Sequence, residues 1–182
     1  MKVPASVAGR ESVRLFCALR LPDSVLDAIC AWQEDHIRGR AVTRANLHVT
    51  LAFLGHRPVG ELEAIVEATG AAAAAVPPIR LEPVRYRETR SVGMLVLADE
   101  GGAATALAED LHGRLEALGV YRREQRDWLP HLTVVRFRER PRLAPPPPDL
   151  AGFAPSDAAV YLSRLRSSGA QYEVVQSFAL GG

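Results

Sequence analysis

Asn46-Leu47-His48-Val49-Thr50-Leu51-Ala52-Phe53-Leu54-Gly55 is the stretch that decides how this 182-residue chain folds. It is apolar and β-rich from Leu47 to Leu54, holds one histidine and one threonine two residues apart, and stops at a glycine. Alternation along a strand puts His48 and Thr50 on one face and Val49, Leu51 and Phe53 on the other, into a core. Pro130-His131-Leu132-Thr133-Val134 repeats the pattern in the second half, with His131 and Thr133 opposed to Leu132 and Val134. One His-x-Thr unit is weak evidence, because a buried histidine with a satisfied hydrogen bond accounts for it. Two copies, each in an apolar strand, predict two related half-folds that bring the polar pairs together across a central cleft.

The rest of the chain supports that duplication. Ser12–Leu21 reads as a buried strand, followed by a helix that starts at Pro22-Asp23-Ser24 and runs to about His36. A second helix is expected from about Val59 to Ala75, stopped by Pro77-Pro78. Ile79–Arg87 and Val92–Ala98 read as strands, 103–118 as a helix closed by Gly119, and Leu129–Phe137 as the strand carrying the second histidine. Pro145–Pro148 is a stiff connector. Ala158–Leu165 and Tyr172–Leu180 form a closing hairpin around Ser167-Ser168-Gly169. The mixture of crossovers and hairpins gives an α+β fold with mainly antiparallel sheets. Residues 1–11 are expected to be disordered, and 12–182 to be one domain of two lobes.

Composition narrows the chemistry. Hydrophobic residues make up 48% and charged residues 24% of the chain, and the net charge is +1, so no global field gathers nucleic acid. No apolar run reaches the roughly 18 residues of a membrane span, and the N-terminus lacks a signal-peptide core. A cytoplasmic protein is expected. Cys17 and Cys30 read as reduced core residues. Lys2 is the one lysine among 22 basic residues. Chemistry that needs an internal lysine, through a nucleotidyl-lysine or a P-loop, is therefore disfavoured. No His, Cys or carboxylate cluster has metal-ligand spacing, so neither metal nor cofactor is expected. His36 and His112, in helices, and His56, in a turn, read as surface residues.

Paired histidines suit phosphoryl chemistry. An imidazole titrates near pH 6.5, so at neutral pH one can give a proton while another takes one. Set on opposite sides of a phosphorus, they divide the labour of an in-line displacement. A threonine hydroxyl two residues on stabilises charge building on a phosphoryl oxygen. A 2′,3′-cyclic phosphate suits such a site, because its strained ring and alkoxide leaving group ask for one acid and no metal.

At these residues the sequence resembles the LigT/ThpR family of two-histidine phosphoesterases, the RNA 2′,3′-cyclic phosphodiesterases also named 2′-5′ RNA ligases. The likeness spans most of 13–180. It is carried by Arg14–Leu19 with Leu21-Pro22, by Asn46–Gly55, by Pro130–Thr133 with Arg136, and by Arg166–Gly169 with Tyr172. The resemblance implies a bilobal, pseudo-twofold fold, with two mainly antiparallel sheets lining the cleft and helices outside. It implies His48 as proton donor to the departing 3′-oxygen and His131 as the base that activates water, leaving a 2′-phosphomonoester. Thr50 and Thr133 would hold the phosphate, and Arg136 would assist if its strand bulges, since strict alternation turns it away from His131. The implied partners are RNA ends with a 2′,3′-cyclic phosphate, tRNA fragments among them, met by a monomer that also supports weak ATP-independent 2′-5′ ligation. Two departures concern base stacking: Arg44-Ala45 stands where the family often has Pro-Glu, and Met94 where it often has tryptophan. Tyr86, Trp128 or Phe53 could supply the aromatic surface instead, although each reads first as core or cleft wall. Arg85, Arg87, Arg90, Arg164 and Arg166 could track an RNA backbone. The alternatives are action on small nucleotide cyclic phosphates or 2′-5′ linkages, and an RNA-end-binding protein without turnover.

Overall fold

A computed structural model describes residues 7, 9–166 and 169–181. Two expectations fall partly or wholly elsewhere: most of the disordered N-terminus, and the Ser167-Ser168 turn, lie outside the described residues. Val7, which is described, is buried in the core.

Strand β1 (Ser12–Arg20) is apolar on both faces because it is central. It pairs antiparallel with β3 (Val49–Pro58) on one side and with β7 (Asp157–Arg166) on the other. Helix α1 (Asp23–His36) follows at Pro22, whose carbonyl accepts the first amides. The two-residue β2 (Arg40–Ala41) and a 3₁₀ turn (Arg44–Asn46) lead into β3. Helix α2 (Leu62–Ala75) then gives way to β4 (Arg80–Glu88). The second half runs β5 (Val92–Glu100), α3 (Ala103–Ala117) and β6 (His131–Arg136). Gly119, at φ +69°, closes α3 in the left-handed conformation that favours glycine. Strands β7 and β8 (Gly169–Phe178) form the last hairpin.

The segment β1-α1-β3 therefore recurs as β5-α3-β6. Each half then hands its next strand to the other: β4 pairs with β5, and β7 pairs with β1. The sheet order is β4-β5-β6-β3-β1-β7-β8, with β2 against β6. The two antiparallel sheets of the expected fold are thus halves of one curled sheet, joined through the pair Val49↔Leu132. Alternation sorts the faces. Leu15, Cys17, Leu19, Leu51, Leu95, Leu132 and Leu162 pack under the helices in the main core. Phe16, Ala18, Ala159 and Tyr161 make a separate cluster on the opposite, open face. No described helix is long and apolar enough to cross a membrane.

Candidate active site

The β3–β6 junction sets the geometry. With Val49 opposite Leu132, one step along an antiparallel register puts His48 across from Thr133 and Thr50 across from His131. Direct neighbours in such a pair stand roughly 4.5–5.5 Å apart, and the two histidines form a diagonal of about 7–8 Å. All four side chains line one groove of about 560 Å³ on the open face.

Each histidine is oriented in the same way. His48 Nδ1 lies 2.8 Å from the carbonyl of Asn46, and His131 Nδ1 lies 2.8 Å from the carbonyl of Leu129. A carbonyl only accepts, so Nδ1 donates in both rings and Nε2 is the nitrogen available for proton transfer. Asn46 also donates from Nδ2 to the Ala170 carbonyl at 2.9 Å, which ties the β7–β8 hairpin to the backbone that holds His48.

The surroundings of the two rings differ. His48 is packed by Phe16 at 4.9 Å, Tyr172 at 5.4 Å and Tyr161 at 5.9 Å between centroids. Among the described residues no aromatic ring contacts His131; its cross-strand neighbour on β5 is Val96. Burial lowers the His48 pKa from 6.5 to about 4. The hydrogen bond to Asn46 opposes that shift, and the charges of Arg136 and His131 add to it.

Beyond each threonine the strand bulges at the same place. On β3, Thr50 pairs with Ala18 but Ala52 with Cys17, so Leu51 is the extra residue. On β6, Thr133 pairs with Met94 but Val135 with Gly93, so Val134 is the extra residue. Two successive residues turn to the core in each copy, Leu51-Ala52 and Val134-Val135, and the next returns to the groove. That residue is Phe53 in one copy and Arg136 in the other. Arg136 therefore lines the groove shared with His131, on the face that strict alternation would deny it. Phe53, expected in the core by alternation, is 61% exposed instead, because the bulge reverses its phase.

Each bulge is held from beneath by a helix. His112 of α3 contributes Nε2 to the carbonyl of Leu51 at 2.8 Å. Gln33 of α1 donates Nε2 to the carbonyl of Val134 at 2.7 Å and to that of Val42 at 3.1 Å. Gln33 and His112 are both 5% exposed and occupy matching places in the repeated β-α-β order. His112 is thus not a surface residue: the bulge leaves a carbonyl in the core, and the imidazole satisfies it.

Arg40, which no pattern singled out, is brought to the groove by the pairing Arg40↔Arg136. Neither arginine has an ion-pair partner among the described residues. Arg164 lines the groove and pairs with Glu173 at 3.3 Å. Arg85, Arg87 and Arg90 lie outside it. Trp128 is half-buried and donates Nε1 to the Thr50 carbonyl at 3.0 Å, so it braces the strand. Tyr86 bonds Glu88 at 3.2 Å, away from the groove. Met94 is buried beside Thr133. His36 is half-buried against Trp32 at 5.5 Å, and His56 is exposed. Cys17 is buried, its thiol pushed up to about 11 by desolvation, and both cysteines are free. Among the described residues no three His, Cys, Asp or Glu side chains gather as a metal site would need.

Known proteins resemble this chain in sequence and in fold. The RNA 2′,3′-cyclic phosphodiesterase of Escherichia coli (strain K12) is 26% identical over 173 residues, covering 93% of this chain and 98% of its own length. The protein of that name from Methanocaldococcus jannaschii is 23% identical over 180 residues, covering 91% of this chain and all of its own. The crystal structure of E. coli LigT complexed with 3′-AMP matches at a TM-score of 0.82 and 25% identity, over 94% of this chain and 100% of that one. A crystal structure from Thermus thermophilus matches at 0.78 and 29%, over 93% and 98%. The family model of the 2′-5′ RNA ligase superfamily matches residues 21–167, and the chain belongs to that superfamily.

Proposed function

We propose that this protein hydrolyses the 2′,3′-cyclic phosphate of RNA ends to a 2′-phosphomonoester. The observation that carries the reading is the pair of imidazoles set diagonally at the β3–β6 junction. Each has Nδ1 anchored to a carbonyl and Nε2 left for proton transfer. Water attacks phosphorus while His131 Nε2 takes its proton. The bond from phosphorus to the 3′-oxygen breaks, and His48 Nε2 gives that oxygen its proton. The pair ends one proton exchanged, and solvent resets it. Thr50, Thr133 and Arg136 hold the non-bridging oxygens as charge grows on them.

The packing supports this division of roles. His48 lies on the aromatic side of the groove, where a nucleoside and its 3′-oxygen find rings to rest on. His131 lies on the side without rings, open to an incoming water. Burial favours the neutral form of His48, lowering its pKa to about 4. A bound anionic diester supplies the opposite charge that draws the proton onto it. The acid is thus charged mainly when substrate is present. Every group in the scheme comes from one chain, so a monomer would suffice for the reaction. The two free thiols fit a reducing compartment such as the cytoplasm. Reversal of the same steps, with a 5′-hydroxyl in place of water, would give weak 2′-5′ ligation without ATP.

The test is incubation of purified protein with EDTA and a short RNA ending in a 2′,3′-cyclic phosphate. The expected result is full turnover with the phosphate left on the 2′-oxygen. A 3′-phosphate product, or turnover that stops with chelator and returns with a divalent ion, overturns the mechanism.

A further inference from the structure

Phe53 is shared by two cavities. It lines the catalytic groove, and it lines a second space of about 290 Å³ together with Arg57, Tyr121 and Arg122. Among the described residues its ring is the one aromatic in the set of exposed large apolar side chains. It is not loose: Phe16 supports it at 5.9 Å, tilted by 44°. The exposure is built into the backbone, because the Leu51 bulge turns Phe53 outward and His112 holds that bulge. In register Phe53 stands two positions from Thr50, since Ala18 faces Thr50 and Phe16 faces Phe53. That is about 7 Å along the sheet, on the order of one nucleotide's reach from the phosphate site.

The second space carries positive charge. Arg122 is exposed and has no ion-pair partner among the described residues. Arg57 is braced by its Nε bond to the Leu54 carbonyl at 3.1 Å and by Glu61 at 3.6 Å. The carboxylate on this rim, Glu124, is bound by Arg126 at 2.7 Å. A supported aromatic ring between two cavities, with an arginine free on the far side, matches what single-stranded nucleic acid needs: a stacking face and a cation for the next phosphodiester.

We propose that the substrate is an oligonucleotide whose penultimate nucleotide occupies this second cavity. Phe53 is the stacking ridge between that nucleotide and the terminal one, and Arg122 meets the phosphodiester that joins them. The proposal rests on the cyclic phosphodiesterase reading and sharpens it, because it sets RNA ends against free mononucleotides.

Two measurements separate the inference from the reading beneath it. The first compares kcat/KM for a trinucleotide ending in a 2′,3′-cyclic phosphate with that for the matching mononucleotide. The trinucleotide should be favoured by about tenfold or more, and Phe53→Ala or Arg122→Ala should each cut that preference several-fold, while Phe53→Trp keeps it. The second measures binding of a trinucleotide 2′-phosphate by fluorescence anisotropy, which needs no turnover. Weaker binding by Phe53→Ala, with retention by Phe53→Trp, supports the subsite even if the protein hydrolyses nothing, in which case the activity reading alone falls. Equal kcat/KM for both substrates, with Phe53→Ala and Arg122→Ala leaving trinucleotide affinity unmoved, overturns the subsite while the activity reading stands.

Discussion

The two His-x-Thr strands share a backbone and differ in what surrounds it. Both anchor the histidine Nδ1 to the carbonyl two residues before it. Both bulge one residue after the threonine, and both have that bulge held by a buried polar side chain from a helix. The neighbours have diverged. The β3 copy faces Phe16, Tyr161 and Tyr172 and ends on Phe53, whereas the β6 copy faces Met94 and Val96 and ends on Arg136. A cyclic phosphate at the junction is itself lopsided, with a nucleoside on one side and water on the other. On the proposed function, the backbone devices would place the phosphate and the divergent side chains would decide which way round it sits.

The most severe way to break the comparison is to remove either ring. His48→Ala and His131→Ala should each lower kcat by about 10²–10⁴, and the double variant should lose less than the product of the two, because the residues act as a unit. Single-turnover rates measure this directly. If both single variants keep near-normal kcat, the site is not catalytic and an RNA-end-binding role takes over.

A pH titration sharpens the difference between the rings. The folded pKa of His48, about 4, lies below the ordinary 6.5. Between those values the unfolded chain holds the extra proton, so stability is full above pH 6.5 and is lost as pH falls toward 4. Thermal unfolding across that window should show the loss, and His48→Gln should reduce it. An identical slope in the parent and in His48→Gln would remove the buried imidazole from the comparison.

The helix side chains can be exchanged between copies. His112→Leu leaves the Leu51 carbonyl without its imidazole, at a cost of about 1–3 kcal/mol in stability, and frees Phe53 to turn. His112→Gln, which borrows the solution used under β6, should keep both Tm and kcat/KM near those of the parent. Gln33→Leu should instead raise KM through Arg136, although Val134 keeps the Val42 amide at 2.9 Å. Loss of Tm without any change in KM would make both side chains structural only.

The strands, the helices and the facing histidines are legible in the sequence because periods of two and 3.6 are written in side-chain polarity. Phe53 and Arg136 are harder, since a bulge breaks the period without changing composition. A signal does exist: each threonine is followed by two apolar residues before the next groove residue, Leu51-Ala52 and Val134-Val135. His112 reads wrongly as surface because a polar residue on a helix ordinarily faces water. Only the repeat itself, which sets it at the place of Gln33, points the other way. Arg40 lies in a two-residue strand that exists through its pairing with β6, and no local pattern announces that.

The threonines give the smallest effect and the finest test. Continuing the register of the Val49↔Leu132 pair sets Thr50 toward His131 and Thr133 toward His48, so each hydroxyl would accompany the opposite copy's ring. A neutral hydroxyl contact is worth about 1 kcal/mol, or roughly fivefold. Thr50→Val and Thr133→Val keep shape and β-branching while removing the donor, so each should lower kcat/KM by about fivefold, and Thr→Ser should restore most of it. Trp128 holds the Thr50 carbonyl through the backbone, so Thr50→Val should leave the strand in place. The double variant then reports on geometry. If the hydroxyls serve different non-bridging oxygens, their losses multiply to about 25-fold, because independent contacts add in free energy. If both converge on one oxygen, the second removal costs less, and the double falls well short of that. Opposed placement about the junction favours the first outcome. A double variant no worse than either single would mean that the two copies grip the phosphate at one point, not from two sides.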